Sequence, residues 1–214
     1  MLVRQRMSRH PVTITPDTSL HNALNAMRDH KVRRLPVLDQ KGKLIGIVLE
    51  KDLLYASPSP ATSLSVWELN YLVSKITVEE LMSRDVITVG DDCPIEDAAR
   101  IMVDNSISGL PVMHGVKLVG MITESDLFKV FLELLGARDR GLRVTIKVEE
   151  QKGVLARLTD ALASHGANIV TLGTFGGDDL ATREIAFKVQ GVDAQAMRGI
   201  INDLGAELLD IRET

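Results

Sequence analysis

The chain has 214 residues, of which 45% are hydrophobic and 25% are charged, a composition that excludes a disordered or fibrous protein. This length suits one large domain or two to three small ones. The net charge of -4 argues against general nucleic-acid binding, which needs a basic face to neutralise phosphates. Cys93 is the only cysteine and the five histidines show no metal-ligand spacing, so neither an intrachain disulfide nor a metal site is expected.

The compartment and the distribution of charge can also be assessed from the sequence. No apolar run approaches the roughly 18 residues of a membrane span, and residues 1–6 lack the apolar segment of a signal peptide. We therefore expect a cytoplasmic protein that has neither a membrane nor a nucleic acid as its partner. Up to Lys43, however, nine basic residues stand against three acidic ones, which predicts at least a solvated basic face.

An internal repeat organises the first two thirds of the chain. The tripeptide Met-Ser-Arg at 7–9 recurs at 82–84, and Leu-Pro-Val at 35–37 recurs at 110–112, both at an offset of 75 residues. Beyond the Pro-Val pair the offset becomes 74, because the turn at 39–42 faces a shorter turn at 114–115. A length difference in a turn supports the alignment, since loops tolerate insertions.

Each repeat has the pattern of a short strand, a helix, two short strands and a second helix. Apolar residues at helical spacing predict a helix from Leu20 in the first repeat, capped by Asp17 or Thr18, and one from Ile95 behind Asp92 in the second. Strands are predicted at 34–38, 44–49, 110–113 and 117–123. Two βαββα units are thus expected at residues 1–56 and 76–136.

Residues 57–75 separate the two repeats. They begin with Ser-Pro-Ser-Pro-Ala-Thr-Ser and continue with helix-compatible periodicity at 64–74. We assign this stretch to a connector, in which Trp67 is expected to serve packing rather than chemistry.

Residues 141–214 have a different pattern from the repeats. Apolar and polar residues alternate over 142–148, which predicts a half-buried strand, and a helix opened by Gly153 follows with Leu155, Leu158 and Leu162 facing inward. Strands near 168–175 and 182–189, a helix at 193–204 and a strand at 207–211 complete the pattern. The order βαββαβ predicts a ferredoxin-like domain with an antiparallel sheet, and the chain as a whole belongs to the α+β class.

On these residues the repeats resemble a tandem pair of CBS domains and the C-terminal third resembles an ACT domain, as in bacterial CBS-ACT proteins of the acetoin-utilization type. CBS nucleotide sites use a Gly-x-x-Thr/Ser-x-x-Asp signature, in which the carboxylate can accept hydrogen bonds from ribose hydroxyls. The second repeat has this signature intact from Gly120 to Asp126. In the first repeat, from Gly46 to Asp52, Leu49 replaces the hydroxyl residue.

The resemblance implies two crossed clefts between pseudo-twofold repeats. The ligand would be AMP, ADP, ATP or S-adenosylmethionine rather than a cofactor, and arginines before Leu-Pro-Val would face its phosphates. The first cleft would consist of Thr123, Ser125, Asp126, His10, Pro11, Val12, Val32, Arg33 and Arg34. The second cleft is expected to be weaker, because it lacks both the hydroxyl and positive charge; it would consist of Asp52, Ile87, Ile107, Ser108 and Gly109. Alternatively, Asp126 only caps the following helix, and the pair binds nothing.

ACT domains bind amino acids at a dimer interface, between the loop before the first helix and the start of the second strand. Here the resemblance implies a site made of Glu149, Glu150, Gln151, Gly153, Val154, Leu155, Asn168 and Ile169. Glycine lets the backbone approach a ligand closely, and N–H groups at a helix start suit a carboxylate. Lys152 stands where the family often has proline, and the alternative is an ACT pair that only dimerises.

Three functions of different classes follow. The first is a non-catalytic, ligand-gated regulator that forms a homodimer and controls an unidentified partner enzyme. The second is an enzyme, for which the sequence offers no Gly-x-Ser-x-Gly motif, phosphate loop, Cys/His pair or metal cluster. The third is a structural dimerisation module without a small-molecule ligand, which ligand-dependent thermal stabilisation would distinguish from the first.

Overall fold

The computed structural model describes residues 1–56, 75–177 and 181–214, and the chain divides into two compact units, residues 1–127 and 128–214. The predicted connector lies outside the described residues except for Lys75. In the described ranges, no helix is both long and apolar enough to cross a bilayer. Helices and strands are mixed in both units, which confirms the predicted α+β class.

The first unit contains the two βαββα repeats. Its strands are β1 (Ser8–Arg9), β2 (Arg34–Leu38), β3 (Leu44–Leu49), β4 (Val89–Gly90), β5 (Gly109–His114) and β6 (Lys117–Thr123). Its helices are α1 (Leu20–His30), α2 (Glu50–Tyr55), α3 (Val78–Leu81), α4 (Ile95–Asp104) and α5 (Glu124–Leu134), the last of which continues into the second unit. The predicted strands follow their ranges within one residue, since the short apolar runs and the glycine turns that define them are local signals.

Each repeat receives a strand from the segment that precedes the other repeat. β1 pairs antiparallel with β6, where Ser8 lies opposite Met121, and Ser83 forms the equivalent bridge to Ile47. Likewise Val3 is buried in the core of the second repeat, whereas helix α3 contributes to the core of the first. The two N-terminal segments therefore cross between the repeats.

A glycine at the start of each signature motif makes room for this crossing. A Cβ at Gly120 would lie 2.5 Å from Met7 Sδ and 2.9 Å from the carbonyl oxygen of Ser8. At Gly46 a Cβ would overlap Met82 Sδ, while the nearest backbone oxygen would be 3.2 Å away. The recurrence of Met-Ser-Arg in the sequence is thus explained by packing against the motif glycine.

The predicted cap of helix α1 is wrong. Helix α1 is capped by Ser19, whose Oγ accepts a 3.3 Å hydrogen bond from a backbone N–H of the first turn, and not by Asp17 or Thr18. Helix α4 begins directly after Pro94, which has no side-chain hydrogen bond to offer, so Asp92 does not cap it. The residue immediately before a helix is the one whose side chain accepts from the N–H groups of the first turn, and the apolar stripe does not define that position to the residue.

The second unit is the predicted βαββαβ domain. Its elements are β7 (Leu142–Glu149), α6 (Val154–Ser164), β8 (Asn168–Gly176), β9 (Thr182–Gln190), α7 (Ala194–Asp203) and β10 (Glu207–Glu213). The sheet order is β10-β7-β9-β8, with every pair antiparallel. Leu158 and Leu162 are buried in its core as predicted. The inward placement of Leu155 is wrong: it is 42% exposed, because it lies in the first turn of α6 beside a surface cavity.

A buried lysine fastens the segment after α5 to this sheet. Lys188 on β9 is only 3% exposed, and its Nζ donates 2.8 Å hydrogen bonds to the carbonyl oxygens of Gly136 and Asp139. Next to it, Gln190 Nε2 donates to the carbonyl oxygen of Arg140 at 2.7 Å. Side chains of β9 therefore determine the path of the chain just before β7.

Replacing Lys188 with methionine is expected to destabilise the protein by about 1–3 kcal/mol, because the carbonyl oxygens of Gly136 and Asp139 lose a charged donor while the apolar stem is retained. Denaturant unfolding of the full chain measures the change. Lys117→Met, at an exposed strand position, is the control and should lie within about 0.5 kcal/mol of the unmodified protein. Equal losses for the two variants would contradict a structural role for Lys188.

Candidate functional site

A cavity of about 440 Å³ lies between the two repeats of the first unit. Its volume falls within the range of roughly 300–1,000 Å³ that small-molecule sites occupy. The start of β2, the end of β3 and the start of α2 form one wall, and residues 83, 85–87, 106–109 and 111 form the other. The residues that matter for ligand chemistry are Arg33, Arg34, Leu49, Ile87, Ile107 and Ser108.

Strand pairing explains why two arginines lie in this wall. Arg34 lies opposite Leu49 in the β2–β3 ladder, and the N–H of Glu50 donates to the carbonyl oxygen of Arg33 at 3.0 Å. The antiparallel hairpin thus returns the signature motif of the first repeat to the start of its own β2. The expectation that this second cleft lacks positive charge is wrong, since Arg33, Arg34 and Lys51 all line it.

The side chain of Arg34 extends across to the second repeat. Its Nη2 donates a 2.9 Å hydrogen bond to Ser108 Oγ. The neighbouring Gly109 makes this possible, because a Cβ at that position would overlap Arg34 Nη1. Position 109 is the repeat equivalent of position 34, so the two strand starts meet here and only one of them carries a side chain.

The electrostatic balance at Arg34 favours an added anion. Burial lowers the pKa of its guanidinium, and the positive charge of Arg33 acts in the same direction. The carboxylates of Glu124 and Asp126 act in the opposite direction without offsetting the burial. A cation that is desolvated beyond what nearby carboxylates compensate is stabilised by a phosphate in the same cleft.

Asp126 is buried at the start of α5 and bonds back to its own motif. Its Oδ2 accepts hydrogen bonds from Thr123 Oγ1 at 2.7 Å and from the Thr123 N–H at 3.1 Å. In the first repeat, Asp52 Oδ2 accepts a single 3.3 Å bond from the N–H of Leu49. The helix-capping alternative therefore describes the geometry of both aspartates, and the hydroxyl of Thr123 gives Asp126 the stronger anchor.

The internal repeat relates the two clefts. Residues 85–87 line the cavity, and their equivalents at the offset of 75 are His10, Pro11 and Val12. Ile107 of the cavity corresponds in the same way to Val32. By this relation we expect His10, Pro11, Val12 and Val32 to lie beside Thr123. Ser125 lies in the exposed first turn of α5. Their assignment to a nucleotide cleft stays a prediction.

Three charged residues of the cavity wall were missed by the sequence reasoning. Asp85 lies at the repeat equivalent of His10, so the alignment contained the signal that would have found it. Glu50 and Lys51 occupy the variable positions of the motif, and nothing in the sequence indicates that they face the cavity. Among the residues that the structure describes, no group of three or more histidines, cysteines and carboxylates is placed to hold a metal.

In the second unit, a cavity of about 210 Å³ lies beside the loop before α6. Glu149, Glu150, Gln151, Gly153, Val154 and Leu155, all predicted for the amino-acid site, line it together with Thr174 and Arg183. Gly153 has φ of +86°, a conformation that glycine adopts without strain and that starts the helix at the required angle. Arg183 forms an ion pair with Glu150 at the cavity rim.

Asn168 and Ile169 lie elsewhere in the second unit. Asn168 pairs with Gln190 at one end of β8, whereas Gly176, at the other end, pairs with Arg183 of the cavity. Nine residues of extended strand cover roughly 27 Å. One chain therefore does not bring the two predicted halves of the amino-acid site together.

Comparison with known proteins finds a matching family model for each of the two units. A model of the CBS domain matches residues 3–59 and 78–133, and a model of the TTHA0829-like ACT domain matches residues 140–212. The L-aspartate semialdehyde sulfurtransferase of Methanocaldococcus jannaschii is 31% identical over 131 residues, which are 61% of this chain and 23% of that enzyme. The similarity to this enzyme is thus confined to about a quarter of its length.

Three solved structures are similar to the first unit. The CBS domain pair of protein MJ0100, in complex with 5′-methylthioadenosine and S-adenosyl-L-methionine, is 30% identical, with a TM-score of 0.52 over 65% of this chain and 98% of that one. AcuB from Vibrio cholerae, assigned to acetoin utilization, is 31% identical, with a TM-score of 0.53 over 64% and 95%. CBSX2 in complex with AMP is 31% identical, with a TM-score of 0.50 over 61% and 96%.

Proposed function

Since the chain belongs to the CBS domain family and carries a C-terminal TTHA0829-like ACT domain, we propose that it is a non-catalytic regulatory sensor whose CBS pair binds an adenine nucleotide or adenosyl ligand. The observation that carries this proposal is the cavity between the repeats, with Arg33 and Arg34 in its wall. The adenosine compounds bound to the MJ0100 and CBSX2 structures support it.

The chemistry of the two clefts fits different parts of such a ligand. Ile87 and Ile107 offer apolar surfaces for a base, and the guanidinium of Arg34 suits a phosphate. Thr123 and Asp126 offer a hydroxyl and a carboxylate, the groups that can hydrogen-bond a ribose. We propose that both clefts bind adenine ligands and that the cleft beside Asp126 binds more tightly.

Thermal denaturation with AMP, ADP, ATP, S-adenosylmethionine and adenosine tests this function. A ligand bound only by the folded state raises stability by about 2.7 kcal/mol at a hundredfold excess over its dissociation constant, and hence raises Tm. Inorganic phosphate is the control for nonspecific anion effects. If none of the five adenine compounds raises Tm at millimolar concentration, the protein is instead the structural module without a ligand.

A second function is favoured by the smaller cavity beside α6. We propose that it forms one half of an amino-acid site, whose other half, Asn168 and Ile169, comes from a second copy of the chain. In this arrangement the dimer passes the state of the CBS pair to a partner protein. The coupling expected of such a regulator is about 1–3 kcal/mol.

The chain is accordingly predicted to be a homodimer at micromolar concentration, because the two halves of the amino-acid site meet only between copies. Sedimentation velocity measures the state directly. Disrupting the predicted junction with Ile169→Asp should shift the protein toward the monomer, whereas Val116→Asp, in an exposed turn of the first unit, should not. A monomeric unmodified protein would leave the amino-acid site incomplete and contradict this part of the proposal.

A further inference from the structure

The two clefts meet at the starts of β2 and β5, which differ in the side chain of their first residue. Arg33 and Arg34 begin β2, and their repeat equivalents Ser108 and Gly109 stand at the start of β5. In a symmetrical arrangement each cleft would have its own residue at this position. Here Gly109 contributes no side chain, and Arg34 Nη1 occupies the place where its Cβ would stand.

One guanidinium therefore faces groups of both clefts. Its Nη2 donates to Ser108, which lines the cavity on the side of Leu49. On its other side, Gly109, against which the guanidinium lies, pairs with Thr123 of the second motif, and the N–H of Glu124 donates to the carbonyl oxygen of Ser108 at 3.3 Å.

We propose that Arg34 is a shared phosphate ligand for which the two clefts compete, so that phosphorylated ligands bind the pair with negative coupling. The proposal rests on the proposed function, since it presupposes that both clefts take adenine ligands. A guanidinium that directs its paired Nη donors at one phosphate has fewer well-placed donors, and a partly neutralised charge, for a second one. The second ligand thus binds to a cleft whose cation is already engaged, and by linkage the effect is reciprocal.

Calorimetric titration of the full chain with AMP tests the competition. The variants Asp52→Ala and Asp126→Asn each leave one cleft intact, and the asparagine retains an acceptor for Thr123 so that the start of α5 stays folded. We expect each variant to bind one AMP. In the unmodified protein, we expect the second AMP to bind with an affinity at least about tenfold lower than the affinity of the same cleft in the variant whose other cleft is disabled. Adenosine, which has no phosphate, should show no such difference.

Substitution of Arg34 completes the design. Arg34→Ala should weaken AMP binding about tenfold in both single-cleft variants and remove the difference between first and second binding, while Arg28→Ala, on the exposed face of α1, should do neither. Gly109→Ala displaces the guanidinium of Arg34. In this variant, Arg34 should contribute to AMP affinity mainly in one of the two clefts.

The possible failures are distinguishable. Two AMP molecules that bind independently, or an Arg34→Ala effect confined to one cleft, would overturn the sharing and leave the proposed function standing. If only one of the two single-cleft variants bound AMP, the sharing would also be overturned. If neither AMP nor any other adenine compound binds the unmodified chain, the sharing and the proposed function fail together.

Discussion

Replacing Asp126 with alanine is expected to weaken AMP binding to the tighter cleft by about tenfold or more. The loss of a charge-assisted hydrogen bond costs about 1.5–3 kcal/mol, and tenfold in affinity corresponds to about 1.4 kcal/mol. The carboxylate is buried and held by both the N–H and the hydroxyl of Thr123, so it would present one fixed acceptor to the ribose of the proposed ligand. Isothermal titration calorimetry with AMP measures the change.

The mirror substitution Asp52→Ala is the matched control for this prediction. Asp52 has the same place in the first motif, but Leu49 gives its carboxylate no hydroxyl partner. We expect the tight AMP-binding phase to be retained in this variant. The assignment of the tighter cleft would be wrong if Asp52→Ala abolished AMP binding while Asp126→Ala left it intact.

Most of the fold was predictable because its signals are local or repeated. The strands β2, β3, β5 and β6 follow from short apolar runs split by glycine turns, and the order βαββαβ follows from changes of period along the chain. The helix caps were not predictable to the residue, since Asp17, Thr18 and Ser19 are all residue types that cap helices. Only the position of the first helical turn, which depends on packing, selects Ser19.

The site was harder to predict than the fold, and Gly109 shows why. When the repeats are compared as sequences, glycine opposite Arg34 indicates a cleft without positive charge. In the structure the missing side chain admits the guanidinium of Arg34, so the same residue places a charge there. The direction of a long side chain depends on the space left by a residue 75 positions away, and no pattern within one repeat contains that information.

The prediction of the amino-acid site from the sequence was limited by a different cause. The loop before α6 and the start of β8 were both predicted correctly as elements, yet they lie at opposite ends of the same sheet. A sequence pattern defines elements within one chain and carries no sign of which residues a second copy supplies.

Replacing Gly120 with valine is predicted to destabilise the first unit and to remove the tighter cleft. The Cβ alone would lie 2.9 Å from the Ser8 carbonyl oxygen and 2.5 Å from Met7 Sδ, and the two methyl groups add to the overlap. Overpacking of this kind costs about 1–3 kcal/mol, and here it also opposes the pairing of β1 with β6. Denaturant unfolding measures the loss of stability.

The ligand consequence follows from the chain path. His10 comes directly after β1, so a detached β1 removes the expected wall of the cleft beside Asp126 and leaves the cavity beside Leu49, whose wall comes from 83–87. Gly46→Val is the mirror variant: it displaces Met82 and should damage that cavity while the tighter AMP-binding phase persists. The two variants are therefore expected to lose different binding phases in calorimetry. If Gly120→Val lowered stability but kept the tight phase, the segment after β1 would not form a wall of the nucleotide cleft.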